Sequence, residues 1–75
     1  MVTVLYFGAA EEVAGTTSET LSADDTATLC SQILEKYPSM RSISFRLALN
    51  RVMLTEETAL NDNDIIAILP PFKGG

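Results

Sequence analysis

The part of the sequence with the clearest chemical potential is its last six residues, Pro70-Pro71-Phe72-Lys73-Gly74-Gly75. Proline lacks an amide hydrogen and fixes φ, so a strand cannot continue through the proline pair, and the segment should leave the domain as a stiff, extended tail. Glycine has no β-carbon, so Gly74 and Gly75 can enter a passage too narrow for other residues. The pattern predicts that the carboxylate of Gly75 is the reactive group and that a partner protein receives it. An ordinary frayed terminus is the alternative.

The other polar side chains offer little catalytic chemistry. The chain has no histidine and one cysteine, which excludes a histidine base, an internal disulfide and a two-cysteine metal site. Cys30 falls on an apolar helical stripe and is predicted to pack in the core. The carboxylate pairs 11–12, 24–25 and 56–57 are interpreted as solvated charge. The acidic turn 61–64 lacks the later ligands of a calcium loop, so no metal site is predicted.

Composition indicates one small domain that works through partners. Ten acidic residues against five basic give a net charge of −5, which argues against nucleic acid and anionic membranes and favours a basic partner. A chain of this length builds one core and has no room for a deep catalytic pocket. The single cysteine fits a reducing cytosol, and neither a signal-like segment nor an apolar run of about 18 residues occurs, so a cytoplasmic location is expected.

Hydrophobic patterning predicts five strands, the last of which leads into the tail. Strand-like segments are expected at 2–7, as a central strand; at 16–22, as a polar edge strand; at 44–50, with Phe45, Leu47 and Leu49 facing the core; at 52–54; and at 65–69, as a continuously apolar central strand. The excursion 9–15 is expected to contain one helical turn, capped by Gly15.

One main helix is predicted between the second and third strands. It begins at Asp25 or Thr26, whose side chains can accept hydrogen bonds from free amides, and Pro38 prevents continuation beyond Tyr37. Its apolar stripe is predicted to consist of Ala27, Cys30, Ile33, Leu34 and Tyr37.

The order of elements predicts an α+β fold. The first two strands pair as a hairpin, the helix crosses the sheet, and the last strand lies beside the first because these two are the most apolar. A mixed sheet of about five strands with one main helix on one face is the β-grasp, or ubiquitin-like, arrangement. The predicted organisation is a domain over residues 1–69 and an extended tail over residues 70–75.

The two central strands are apolar on both sides, whereas one helix covers only one side of a sheet. If Val2, Val4, Tyr6, Ile66 and Ile68 face the helix, the residues that point away are Leu5, Phe7, Ala67 and Leu69, with Met53 as a candidate neighbour. The pattern predicts a protein-docking patch on the far side. A minor core covered by loops is the alternative.

Nearly the whole chain resembles the MoaD-type family of ubiquitin-like sulfur carriers, the small subunits of molybdopterin synthase. The resemblance rests on the segments 2–9, 12–15, 37–38, 47–50 and 60–67, and its most specific part is the tail 70–75. Two positions depart from the family pattern. Asn63 replaces a usual glycine in the turn before the last strand, and asparagine tolerates the left-handed conformation expected there. Glu11 stands where many relatives carry a basic residue.

The resemblance implies a function for the tail. An ATP-using enzyme would activate Gly75 as an acyl-adenylate, which is then converted to a thiocarboxylate. The tail, comprising Pro70, Pro71, Phe72, Lys73 and Gly74 before the reactive glycine, would enter the large subunit and give sulfur to a pterin precursor of molybdopterin. The chain would then be a sulfur-donating subunit and not itself an enzyme.

The resemblance also implies partners. They are the large synthase subunit, in an assembly of two small and two large subunits, the adenylating enzyme and a sulfur donor. Phe7, Met53 and Leu69 match partner-facing positions of the family. No cofactor would be bound permanently, since ATP is used by the activating partner. Lys73 would meet an acidic or phosphate-bearing wall, or serve only as a solubilising charge.

Three alternatives stay open. The chain could be a sulfur carrier for another pathway, such as the thiamine thiazole type, although the Pro70-Pro71 pair favours molybdopterin. A ubiquitin-like modifier would instead form an isopeptide bond from Gly75 to lysines of other proteins. An interaction module would use the outward face and have no chemistry at Gly75.

Overall fold

The computed structural model describes residues 1–70, so the predicted tail residues Pro71–Gly75 lie outside the described part of the chain. The elements, in chain order, are β1 (Val2–Tyr6), α1 (Ala9–Ala14), β2 (Ser18–Leu21), α2 (Thr26–Lys36), a 3₁₀ turn (Pro38–Ser42), β3 (Arg46–Leu49), β4 (Val52–Met53) and β5 (Ile65–Leu69). Neither α-helix within residues 1–70 has the length and apolarity needed to cross a membrane.

The strands form one five-stranded sheet in the order β2-β1-β5-β3-β4. β1 and β5 are parallel neighbours at its centre, and the other three pairings are antiparallel. The predicted mixed sheet with one main helix is therefore confirmed, as is the placement of the last strand beside the first. The two longest predicted strands are shorter than expected, because pairing covers only 18–21 and 46–49 of the segments predicted at 16–22 and 44–50.

The inner face of the sheet, which faces α2, carries the core. Val4, Ile66 and Ile68 are fully buried there, and Val2 and Tyr6 are 1% exposed. The predicted inward residues of the third strand are confirmed in their direction, since Phe45, Leu47 and Leu49 pack, partly buried, against this cluster.

Helix α2 has the predicted ends but a different buried stripe. Asp25 is the N-cap, and its side chain accepts a hydrogen bond of 2.7 Å from the backbone N–H of Thr28. The residues buried against the sheet are Thr26, Leu29 and Ile33. The predicted stripe was wrong at Ala27, which is exposed, and at Cys30, which is half-buried at its flank. This rotation buries the large Leu29 side chain, which removes more apolar area from water than Ala27 would.

The 3₁₀ turn after α2 is part of the core, a role that hydrophobic patterning did not predict. Met40 in this turn has no exposed surface. Its backbone N–H donates to the carbonyl oxygen of Tyr37 at 2.9 Å, which folds the chain back under the end of the helix. One apolar residue among Pro, Ser and Arg gives no periodic signal, so patterning could not identify it.

The tight turns place one glycine, two asparagines and one arginine at positive φ. Gly15 ends α1 in the left-handed conformation with φ of 71°, and its N–H donates to the carbonyl of Glu11 at 2.9 Å. Asn63 has φ of 71°, as expected from its place in the turn before β5. The β3–β4 turn places Asn50 and Arg51 at φ of 47° and 74°, the pair of positive φ values typical of a two-residue hairpin loop.

One polar cluster joins the edge strand β2 to the core. The Glu19 carboxylate points to the inner face and accepts hydrogen bonds from the hydroxyls of Tyr6 at 2.5 Å and Tyr37 at 2.8 Å, and it pairs with the ammonium of Lys36. The two tyrosine rings meet edge to face, with centroids 5.9 Å apart. Burial by itself would raise the pKa of Glu19, but the hydrogen bonds from Lys36, Tyr6 and Tyr37 outweigh it and hold the pKa below its usual value.

Replacing Glu19 should therefore destabilise the domain. Glu19→Ala leaves the buried Tyr6 hydroxyl without its acceptor, so we expect a loss of about 2 kcal/mol in the free energy of unfolding at pH 7. The folded-state pKa lies below the unfolded value, so the contribution of Glu19 is complete above an unfolded pKa of about 4.3 and is lost as the pH falls through the folded pKa. Urea unfolding from pH 7 down to pH 3 should thus show a flatter pH dependence in the variant.

The matched control is Glu35→Ala, which removes an exposed carboxylate of the same helix that Lys36 belongs to. It should leave the unfolding free energy within about 0.5 kcal/mol of the parent protein. Equal losses in the two variants would contradict the role assigned to the Glu19 cluster.

Candidate functional site

The sheet face opposite α2, here called the outer face, is the candidate site. Side chains alternate along a strand, so the residues next to the buried ones point away from the helix. Ten residues form the central and β3–β4 part of the outer face, namely Leu5, Phe7, Arg46, Ala48, Asn50, Arg51, Met53, Ile65, Ala67 and Leu69, and the polar residues Thr3, Ser18 and Thr20 lie on the same side toward the β2 edge.

A row of side chains crosses four strands in the middle of this face. Strand register aligns Leu5 with Ala67, Ala67 with Ala48, and Ala48 with Met53. The two alanines are small and lie between larger side chains, so the centre of the face is a shallow apolar concavity. It has a volume of about 490 Å³ and is lined by Leu5, Phe7, Ala48, Asn50, Arg51, Ile65, Ala67 and Leu69.

The outer face is open within residues 1–70. Ile65, Phe7 and Met53 are 44%, 43% and 38% exposed, values more than twenty times those of the buried valines and isoleucines on the inner face. A loop-covered minor core would bury these side chains. The structure brings together all five residues that the sequence singled out for docking, namely Leu5, Phe7, Met53, Ala67 and Leu69.

The first residue of the predicted tail leaves the sheet beside the β1–α1 turn. The backbone N–H of Phe7 donates to the carbonyl of Ile68 at 3.1 Å, which holds the end of β5 against this turn. Gly8 follows with φ of 59° and ψ of −131°, a conformation that other residues rarely adopt. The ring of Pro70 lies against it, since a β-carbon at Gly8 would be 3.5 Å from Cγ of the proline. The remaining predicted tail, residues 71–75, falls outside the described residues.

The opposite end of the outer face is fixed by Asn50. Its side chain accepts a hydrogen bond from the backbone N–H of Ile65 at 3.0 Å and donates to the carboxylate of Asp64 at 3.1 Å. The Asn61 backbone N–H and the Asn50 side chain together lower the pKa of Asp64. These bonds tie the β3–β4 turn, and with it Arg51, to the start of β5.

Sequence reasoning missed five of these ten residues, namely Arg46, Ala48, Asn50, Ile65 and Arg51. A signal was available for the first four. Arg46, Ala48 and Asn50 alternate with the inward residues Phe45, Leu47 and Leu49, and Ile65 precedes the inward Ile66. Arg51 follows β3 in a turn, so no alternation could assign it.

A second concavity lies between α2 and the segment after β4. It has a volume of about 730 Å³, and Cys30, Glu56 and Glu57 are among its lining residues. Burial raises the pKa of the Cys30 thiol, and the Glu57 carboxylate adds to the effect. A protonated, half-buried thiol is a poor nucleophile. In the part of the chain that the structure describes, no three cysteine or carboxylate side chains converge as a metal site would require.

Comparison with known proteins places these features in a family. The model of the ThiS family matches residues 4–75. The molybdopterin synthase sulfur carrier subunit of Chlamydomonas reinhardtii is 36% identical, over 99% of this chain and 98% of its own length. The protein of the same name from Mycobacterium tuberculosis is 35% identical, over 99% of this chain and 96% of its own.

Solved structures agree with the fold. The small archaeal modifier protein 1 of Methanosarcina acetivorans superposes with a TM-score of 0.85 at 28% identity, covering 99% of this chain and 95% of its own. A chain from the complex of subunits 1 and 2 of the molybdopterin-converting factor of Helicobacter pylori gives a TM-score of 0.74, also at 28% identity, covering 99% and 97%. The chain therefore belongs to the ThiS/MoaD family of ubiquitin-like β-grasp proteins.

Proposed function

We propose that this protein is the sulfur carrier subunit of a molybdopterin synthase and that Gly75 carries the sulfur. The observation that supports this best is the extent of the similarity. The sulfur carrier subunits of that name match 99% of the chain, and the family match extends to Gly75 itself.

The chemistry needs only the carboxylate of Gly75 from this chain. A carboxylate is a poor acyl electrophile, so the activating enzyme attaches AMP to it, and pyrophosphate leaves from ATP. A sulfide equivalent from a donor then attacks the acyl carbon and displaces AMP, which leaves a thiocarboxylate. The large subunit takes the sulfur onto a pterin precursor, and hydrolysis of the acyl group regenerates the carboxylate. No cofactor is held by the carrier in this cycle.

The folded domain supplies binding and not catalysis in this proposal. The outer face is a docking surface for the large subunit, because its centre is apolar, concave and open in the described structure. The Helicobacter pylori relative was solved as a complex of subunits 1 and 2, which supports a two-subunit synthase. We propose two copies of each subunit in the assembly.

The contact between Gly8 and Pro70 sets where the tail begins. The chain leaves β5 at Leu69, next to Phe7, and the proline ring packs on the glycine backbone. Docking through the outer face would therefore place the start of the tail at the edge of the interface. From there Phe72, Lys73, Gly74 and Gly75 would extend into the large subunit.

A ubiquitin-like modifier is the second candidate function. The small archaeal modifier protein has the higher TM-score of the two structures described above, 0.85 against 0.74. A modifier would share the fold and the activation step but would end as an isopeptide bond to a lysine. Mass spectrometry of conjugates would reveal Gly-Gly remnants on other proteins, which a sulfur carrier would not produce. Copurification of a synthase for another sulfur-containing product would instead indicate a different pathway.

Sulfur loading should depend on the last residue. We expect incubation with ATP, the adenylating enzyme and a sulfur donor to give a mass gain equal to the exchange of one oxygen for sulfur. Deleting Gly75, or adding one alanine after it, should abolish the gain because the activated carboxyl is displaced. Circular dichroism should show the same folded domain in all three proteins. A mass gain in either altered protein would exclude Gly75 as the carrier residue.

Docking should be sensitive to a charge at the centre of the outer face. Ala67→Glu places an unpaired carboxylate in the apolar concavity, so affinity for the large subunit should fall by at least about tenfold in a titration with purified proteins. Ala27→Glu is the matched control, because it adds the same charge at an exposed helical position. Equal affinities of the two variants would contradict docking through this face.

Sulfur transfer by the tail should depend on Gly8 through its contact with Pro70, in addition to any effect of Gly8 on stability. Gly8→Ala and Gly15→Ala both force alanine to a positive φ. Gly15 lies in the left-handed helical region, where alanine should cost about 1 kcal/mol of unfolding free energy, whereas the ψ of −131° at Gly8 lies outside that region and alanine there should cost about 3 kcal/mol. Only Gly8 contacts Pro70, whereas a β-carbon at Gly15 would meet nothing within 4 Å. Sulfur transfer to the pterin precursor should therefore slow only in Gly8→Ala. Equal transfer rates per folded molecule in the two variants, with the folded fraction of each measured by circular dichroism, would refute the positioning role.

A further inference from the structure

The outer face is positively charged, although the chain as a whole is acidic. It carries Arg46 and Arg51, and none of the ten carboxylate residues of the sequence is among its lining residues, although the Asp64 carboxylate lies at its edge, where it accepts a hydrogen bond from Asn50. Those carboxylates belong to α1 (Glu11, Glu12), the inner face of β2 (Glu19), α2 and the residues before it (Asp24, Asp25, Glu35), the loop after β4 (Glu56, Glu57) and the turn before β5 (Asp62, Asp64).

Neither arginine is neutralised within residues 1–70. The ion pairs in this part of the chain join Lys36 to Glu19 and the N-terminus to Asp62. Arg46 also borders the groove that Glu56 and Glu57 line, yet it forms no ion pair with either in the described structure. Both arginines are exposed, so their donors remain available to a partner.

The two arginines lie toward opposite ends of the apolar concavity. Arg46 is paired in register with Leu69, the last residue of β5. Arg51 belongs to the turn that Asn50 ties to Ile65, the first residue of β5. The two residues of β5 beside which the arginines lie, Ile65 and Leu69, are four positions apart, which is about 13 Å along the strand. Because Asn50 anchors the turn, the Arg51 backbone is held at a fixed place on the rim.

We infer that the surface of the large subunit that covers the outer face presents an apolar projection flanked by carboxylates, which pair with Arg46 and Arg51. This inference rests on the proposed function. The apolar centre excludes water, and the two charged contacts set the orientation of the domain and so the direction in which its tail leaves. The net charge of −5 favoured a basic partner. The docking surface requires the opposite, because the charges that face the partner are the arginines.

The test is the binding of purified large subunit to charge-reversal variants. Arg46→Glu and Arg51→Glu should each weaken binding by about tenfold, and the double variant by more, because a carboxylate then faces a carboxylate. Arg41→Glu is the matched control, since it makes the same charge change on the exposed 3₁₀ turn. It should stay within about twofold of the parent protein. Arg46→Gln and Arg51→Gln, which only remove the charges, should each lose about threefold.

The salt dependence gives an independent readout. Between about 50 and about 500 mM salt, the association rate of the parent protein should fall, because oppositely charged surfaces steer the encounter. That of the double charge-reversal variant should rise or stay constant. A lysine in place of the opposing carboxylate of the large subunit should restore the affinity of Arg51→Glu.

The outcomes separate the two proposals. If Arg46→Glu and Arg51→Glu bind like Arg41→Glu while Ala67→Glu does not bind, the face docks without opposing carboxylates and the inference is wrong, although the proposed function stands. If the parent protein does not bind the large subunit, the proposed function fails and the inference fails with it. Circular dichroism and urea unfolding of each variant exclude loss of fold as the cause.

Discussion

The structure depends on the parallel pairing of β1 and β5. These strands are the most apolar segments of the chain, and they lie side by side in the middle of the sheet. Burial of their inner side chains under α2 supplies the core, with Val4, Ile66 and Ile68 fully buried. Residues 1–70 contain one main helix, and one helix covers one face. The apolar outer face of the same strands is the consequence.

The two faces place different demands on polar groups. On the closed inner face, a carboxylate is tolerated only when hydrogen bonds replace its lost water, and Glu19 has three partners there. On the open outer face, Arg46 and Arg51 remain solvated and have no such partners in the described residues. The inner cluster therefore stabilises the fold, whereas the exposed arginines keep their donors available to a partner.

Most of the fold follows from the sequence because its strongest signals are periodic or stereochemical. The apolar runs at 2–7 and 65–69 identify the central strands, Asp25 and Pro38 bound the helix, and Asn63 tolerates the turn it occupies. The errors arise where geometry between elements decides. The orientation of α2 about its axis buries Leu29 and leaves Ala27 exposed, and no local sequence pattern predicts that orientation. Likewise, the Glu19 cluster joins three elements that are distant in sequence, so no local sequence pattern around Glu19 predicts its partners.

The candidate site is predictable to the same extent. Five apolar members of the outer face follow from alternation and topology, and alternation also assigns Arg46, but Arg51 required knowledge of the β3–β4 turn. In the proposed function the reactive group lies on a tail, so the domain must control where the tail starts and how the domain is oriented. The Gly8–Pro70 contact provides the first of these controls. A single apolar patch would leave rotation about its own axis weakly determined, since apolar contact is not directional. Two like charges on either side of such a patch, carried by residues that lie beside positions of β5 about 13 Å apart, fix that rotation, because each must meet its own counter-charge. The arrangement of Arg46 and Arg51 thus supplies the orientational constraint that an apolar concavity lacks.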